Sequence, residues 1–157
     1  MKHFSSGFKN VRLSNYDYRN GWFFVTNQTN FSRPYIKDQY YQIVKDELFE
    51  LPKKYPGVKI DFFSLMPTHI HVILICDDAP YPLSEIWRRF KSVTTLYAKR
   101  AGLLDVTLWQ ENLYEHIIRN DKAVERIRRY IVNNPLKVNL PLDEIYESAK
   151  DYYLIIH

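Results

Sequence analysis

Two apolar runs with only Pro67-Thr68 between them constrain this chain more than any other feature. Residues 58–66 (Val-Lys-Ile-Asp-Phe-Phe-Ser-Leu-Met) and 69–76 (His-Ile-His-Val-Ile-Leu-Ile-Cys) have strand length and are rich in β-branched and aromatic residues. So short a connection leaves no room for a crossover, so the pair must form an antiparallel hairpin. The second run is almost continuously apolar and predicts a buried strand.

Around this hairpin the hydrophobic period switches between 2 and 3.6. Residues 22–29 read as a first strand. Residues 36–51 carry Tyr40, Val44, Leu48 and Leu51 as one helical stripe, and Pro56-Gly57 stops that helix. A second helix is predicted over 83–101, with Leu83, Ile86, Phe90, Val93 and Tyr97 as its stripe. Ser84 or Pro82 can start it and Gly102 ends it. Residues 108–118 read as a fourth strand of weaker alternation, and 121–134 as a helix that stops before Pro135. A short acidic helix is expected at 141–150. The order strand, helix, strand, strand, helix, strand is that of an α+β, ferredoxin-like antiparallel sheet, with a helix added after the fourth strand.

The 157 residues suit one domain spanning 1–157. No stretch approaches the ~20 apolar residues that span a bilayer, and the N-terminus lacks a signal-peptide core. Cys76 is the only cysteine, so neither an intrachain disulfide nor a cysteine metal cluster can form. The expected location is the cytoplasm. With four glycines in the chain, no glycine-rich phosphate loop is available. The net charge of +4 allows an anionic partner without requiring one.

His69 and His71 are two apart in a strand, so both imidazoles point to one face, with Cα atoms roughly 6–7 Å apart. They either hydrogen-bond to neighbours at the strand's start or share a divalent metal. On the last helix, Ala123, Ile127, Tyr130 and Asn134 fall on one face, which turns polar towards its C-terminal end. Tyr130 and Asn134 are either a core tyrosine with an asparagine cap, or two groups of one metal-centred site. Arg88, Arg89 and Lys91 crowd one helix, and Arg126, Arg128 and Arg129 the other, with Arg119 just before it. These cations are either a solvated face or phosphate contacts. Trp87, Phe90, Tyr97, Trp109 and Tyr114 are interleaved with them, and aromatic faces can stack unpaired bases. Tyr97 and Tyr114 are expected to be packing residues.

Met66-Pro-Thr-His-Ile-His-Val72 resembles the His-hydrophobic-His motif of HUH endonucleases. Leu108-Trp-Gln-Glu-Asn-Leu-Tyr-Glu-His-Ile-Ile-Arg119 and Tyr130-Ile-Val-Asn-Asn-Pro135 resemble the REP-associated tyrosine transposases, relatives of single-tyrosine insertion-sequence transposases. Ile86–Thr95 and Tyr16–Thr26 are similar to that family's intervening helix and opening segment, so the likeness covers about residues 12–140. The resemblance implies Tyr130 as nucleophile and His69, His71 and Asn134 as ligands of Mg²⁺ or Mn²⁺. Insertion-sequence members usually carry glutamine at the fourth place, and asparagine is shorter. It also implies nicking and rejoining of single-stranded or hairpin DNA through a 5′-phosphotyrosine, by a monomer or homodimer. Arg88, Lys91, Arg119, Arg129 and His116 are the candidate DNA contacts. A nucleic-acid-binding module without catalysis, a structural ferredoxin-like domain that binds another protein, and a rolling-circle-type nickase are the alternatives.

Overall fold

A computed structural model describes residues 15–137, with side chains up to Asn133. The helix expected at 141–150 lies outside the described residues. Four strands, β1 (Gly21–Gln28), β2 (Val58–Met66), β3 (His69–Cys76) and β4 (Tyr114–Ile118), and three helices, α1 (Asp38–Lys54), α2 (Leu83–Arg100) and α3 (Asp121–Lys137), make up its frame. The strands form one sheet in the order β2-β3-β1-β4, with every neighbouring pair antiparallel. This is the α+β, ferredoxin-like plan that the element order predicts, with the extra helix present.

Strand alternation gives the sheet two unlike faces. On one, Phe23, Val25, Ile70, Val72, Leu74 and Phe63 meet Val44, Leu48 and Leu51 of α1 and Ile86, Trp87 and Phe90 of α2. Two buried polar links fix α2 there. The Trp87 indole donates to Asn27 Oδ1 (3.1 Å), and the Trp109 indole donates to Thr94 Oγ1 (2.8 Å). The buried stripe of α2 therefore runs on through Thr94 and Ala98. The expected Val93 is half-buried, and Tyr97 is 39 % exposed.

On the other face, α3 lays Val124, Ile127, Tyr130 and Ile131 over Phe24, Phe62, Ile73 and Ile118. A β-bulge between Ile60 and Phe62 accompanies an electrostatic clamp at this contact. Asp61, only 1 % exposed, accepts two bonds from Arg128 of α3, from Nε (2.9 Å) and Nη2 (2.6 Å). Such a fork fixes the helix in both rotation and height.

Three boundaries differ from the sequence reading by three residues or more. The fourth strand begins at Tyr114 rather than 108, and its first half keeps one bridge, Thr29 to Trp109, because the Trp109 side chain is drawn beneath α2. Helix α1 runs three residues further, through Pro52, before Gly57 turns the chain at φ +83. A side chain at Gly57 would collide with the Asp77 carbonyl. Helix α3 continues past Pro135 to Lys137, although the proline has no N–H to bond the Ile131 carbonyl.

Arg128→Ala should destabilise the protein by about 3 kcal/mol, because it strips both charged bonds from a buried carboxylate. Urea denaturation measures this, and an unchanged midpoint would show that the pair does not anchor α3. Burial pushes the Cys76 thiol up to about 11, so at pH 8 iodoacetamide should label the urea-unfolded chain and leave the native one unmodified.

Candidate active site

The loop between β2 and β3 delivers His69 and His71 to the α3 face. His69 is half-buried and His71 is 4 % exposed. Their ring centres stand 4.8 Å apart. Register places His71 between Thr26 of β1 and Ser64 of β2, and His69 between Gln28 and Met66. Thr26 Oγ1 lies 2.8 Å from His71 Nδ1, and Thr68 Oγ1 lies 3.0 Å from His69 Nδ1. With each Nδ1 held by a hydroxyl, Nε2 is the nitrogen of each ring suited to a metal, Nδ1–H then donating to the threonine oxygen.

Tyr130 reaches the same place from above the sheet. Its ring centre is 5.4 Å from that of His71 and 6.3 Å from that of Phe24, which itself stacks on His71 at 5.5 Å. The tyrosine is 7 % exposed, so packing against Phe24 and the neighbouring isoleucines sets its position. Its spacing from Arg128 on the helix ties that position to the Asp61 clamp.

Two imidazoles on one face, each oriented through its second nitrogen, fit a divalent cation that keeps several other positions for water or phosphate oxygens. Among the described residues, no group of three or more His, Cys, Asp and Glu side chains is placed to hold a metal. Asn134 lies one turn beyond Tyr130 on α3, but its side chain is outside the described residues.

The proposed DNA contacts divide between the two faces. Arg119 and Arg129 are exposed at the start and on the outer side of α3, in line with Lys122 and Arg126. His116 is on the α3 face of edge strand β4, paired with Phe24. Desolvation, and secondarily the Arg119 cation, hold its imidazole below the ordinary histidine range. Arg88 and Lys91 are on α2, behind the sheet. Arg88 forks onto Glu85 (2.9 and 2.8 Å), and with Arg89 it holds that carboxyl down at about 2. The Lys91 ammonium donates to the carbonyls of Gln110 (2.6 Å) and Glu111 (2.9 Å), stapling the segment before β4. Arg128, counted from sequence among the surface cations, instead points inward to Asp61.

The aromatic residues also sort differently from the sequence reading. Trp87, Phe90 and Trp109 are at most 2 % exposed and belong to the core, where no base can reach them. Tyr97 and Tyr114, expected to pack, are 39 % and 42 % exposed, because α2 turns Tyr97 outward and Tyr114 opens the edge strand. Sequence reasoning passed over Thr26, Thr68 and Asp61. Thr68, next to the histidine, was the one within reach of a local reading. Thr26 and Asp61 required the strand register.

The model of the family described as "Transposase IS200 like" matches residues 19–134. The chain is 32 % identical to an uncharacterised protein of Haemophilus influenzae, over 82 % of this chain and 88 % of that one. It is 29 % identical to the REP-associated tyrosine transposase of Escherichia coli K12, over 74 % of this chain and 66 % of that one. A solved structure of a REP-associated tyrosine transposase bound to a REP hairpin superposes with a TM-score of 0.67 at 26 % identity, covering 82 % of this chain and 74 % of that one. With its two histidines and its tyrosine gathered on one sheet face, the chain belongs to the IS200-like transposase family.

Proposed function

We propose that this protein nicks and rejoins single-stranded DNA next to a hairpin, with Tyr130 as the nucleophile. The observation that carries this reading is the 5.4 Å approach of the Tyr130 ring to His71, with His69 alongside. The phenol oxygen attacks the scissile phosphorus, the P–O3′ bond breaks and the 3′ oxygen takes up a proton. The 5′ phosphate remains on the tyrosine. Because that ester keeps the energy of the broken bond, a 3′-OH can attack it in turn and regenerate Tyr130 without ATP.

His69 and His71, joined by Asn134, would hold Mg²⁺ or Mn²⁺, which when bound supplies positive charge to the phosphate oxygens. Thr26 and Thr68 set the ring planes and the tautomers. The Asp61–Arg128 pair keeps the phenol at the histidine end of the sheet. Arg119 and Arg129, with His116, line the approach on this face and contact the strand that is cut. Arg88 and Lys91, behind the sheet, serve parts of the DNA further from the scissile phosphate. The related transposase bound to a REP hairpin supports a hairpin substrate here.

A labelled hairpin oligonucleotide with a single-stranded flank, incubated with Mn²⁺, should give a covalent adduct on a denaturing gel. Tyr130→Phe should abolish the adduct while leaving DNA binding intact. Binding with no adduct from the unaltered chain would identify a binding module instead. Thr26→Val should raise the Mn²⁺ concentration needed for half-maximal adduct formation by about 10- to 100-fold, and an unchanged requirement would show that the hydroxyl does not orient His71.

A further inference from the structure

Phe31 stands outside the core. It is 75 % exposed, in a 3-10 turn (Asn30–Ser32) that leaves the end of β1. Its φ is +54 and that of Ser32 is +52, in the left-handed region that bulky residues avoid. The turn is nevertheless tightly held. Asn30 N–H donates to the Leu108 carbonyl (2.9 Å), Ser32 N–H to the Thr29 carbonyl (3.0 Å), and the Thr29 hydroxyl to the Arg33 carbonyl (2.6 Å). A costly backbone conformation that its surroundings enforce, and that presents an apolar ring to water, is a mark of function rather than packing.

The ring's neighbourhood indicates what it meets. The Arg33 guanidinium lies over the Phe31 ring, 5.3 Å from its centre. Arg33 is itself braced by both oxygens of Asp105 (3.0 and 2.8 Å) and by Tyr35. Leu104 and Val106, on either side of Asp105, are 97 % and 82 % exposed. A flat aromatic ring beside a cation suits the π-face of a nucleobase with its backbone phosphate nearby. The turn is also tied to the catalytic strand, since Thr29 N–H donates to the carbonyl of Thr68, next to His69. Following the chain at no more than ~3.6 Å per residue, Phe31 is within roughly 16 Å of His69. That is a few nucleotides along an extended strand.

We propose that Phe31, with Arg33 beside it, is a stacking platform for one unpaired base of the DNA strand that passes the histidine pair. This rests on the single-strand reading above and adds a subsite to it: the platform sets which nucleotide lies at the scissile position by holding a base at a fixed distance from it. Stacking tolerates any base, so the subsite measures length more than sequence.

The test uses the full chain carrying Tyr130→Phe, and a hairpin oligonucleotide with 2-aminopurine at each position of its single-stranded flank in turn. One position should be quenched on binding. Phe31→Tyr should keep the quench. Phe31→Asn, which suits the left-handed backbone but removes the ring, should abolish it and weaken binding by about 5- to 150-fold. Quenching that survives Phe31→Asn, or no quenched position while the oligonucleotide binds, overturns the platform. In either case an adduct formed by the chain with Tyr130 intact keeps the nuclease reading standing. An oligonucleotide that neither binds nor forms an adduct overturns both.

Discussion

The contact between α3 and the second face of the sheet is the constraint on which the rest depends. The first face is covered by two helices and is mainly apolar; its polar exceptions are Asn27, which bonds the Trp87 indole, and Glu115 of the edge strand, while Thr94 of α2 bonds the Trp109 indole. The second face is divided. Towards one end Phe24, Phe62, Ile73 and Ile118 form an ordinary apolar seat, and towards the other Thr26, Gln28, Ser64, His69 and His71 present polar groups. A single helix that is apolar on its sheet side can cover the seat and leave the polar end for chemistry. Tyr130 falls at the boundary, its ring in the apolar cluster and against His71. A phenol fits such a boundary because its body is apolar and its tip is not.

Apolar packing alone would hold α3 loosely in rotation and translation, since interlocking isoleucines tolerate small slides. The fork from Arg128 to Asp61 removes that freedom. A carboxylate buried this deeply costs several kcal/mol to desolvate, and a well-aligned partner is what makes it tolerable. The gain is specificity of placement: a displacement of about 1 Å would be enough to part the phenol from the imidazoles.

Much of this frame is legible in the sequence because it depends on local signals. Pro67-Thr68 between two apolar runs fixes the hairpin, and strand alternation then puts His69 and His71 on one face without any knowledge of neighbours. Helix period and proline placement locate α1 and α2 to within a few residues. What is not legible depends on register between distant segments. Asp61 reads as an ordinary polar residue in a strand, and only the bulge beside it and the arrival of Arg128 from 67 residues away give it a role. Thr26 gains its histidine partner from 45 residues away in the same manner. The aromatic residues mislead for a related reason. Trp87 and Trp109 have hydrogen-bond partners inside the fold and are drawn into it, whereas Phe31 sits in a backbone conformation that no propensity scale assigns to phenylalanine.

The proposed cleavage requires the two imidazoles of β3 and the phenol of α3, whose rings stand 4.8 and 5.4 Å apart in turn, to serve one cation. Titration of the isotope-labelled full chain with Mn²⁺, observed through side-chain ring resonances by NMR, tests it directly. The account predicts that the His69, His71 and Tyr130 ring signals broaden together at the lowest Mn²⁺ concentration, ahead of His116 and the exposed tyrosines. Broadening that begins elsewhere, or that reaches the two histidines and spares Tyr130, would contradict it.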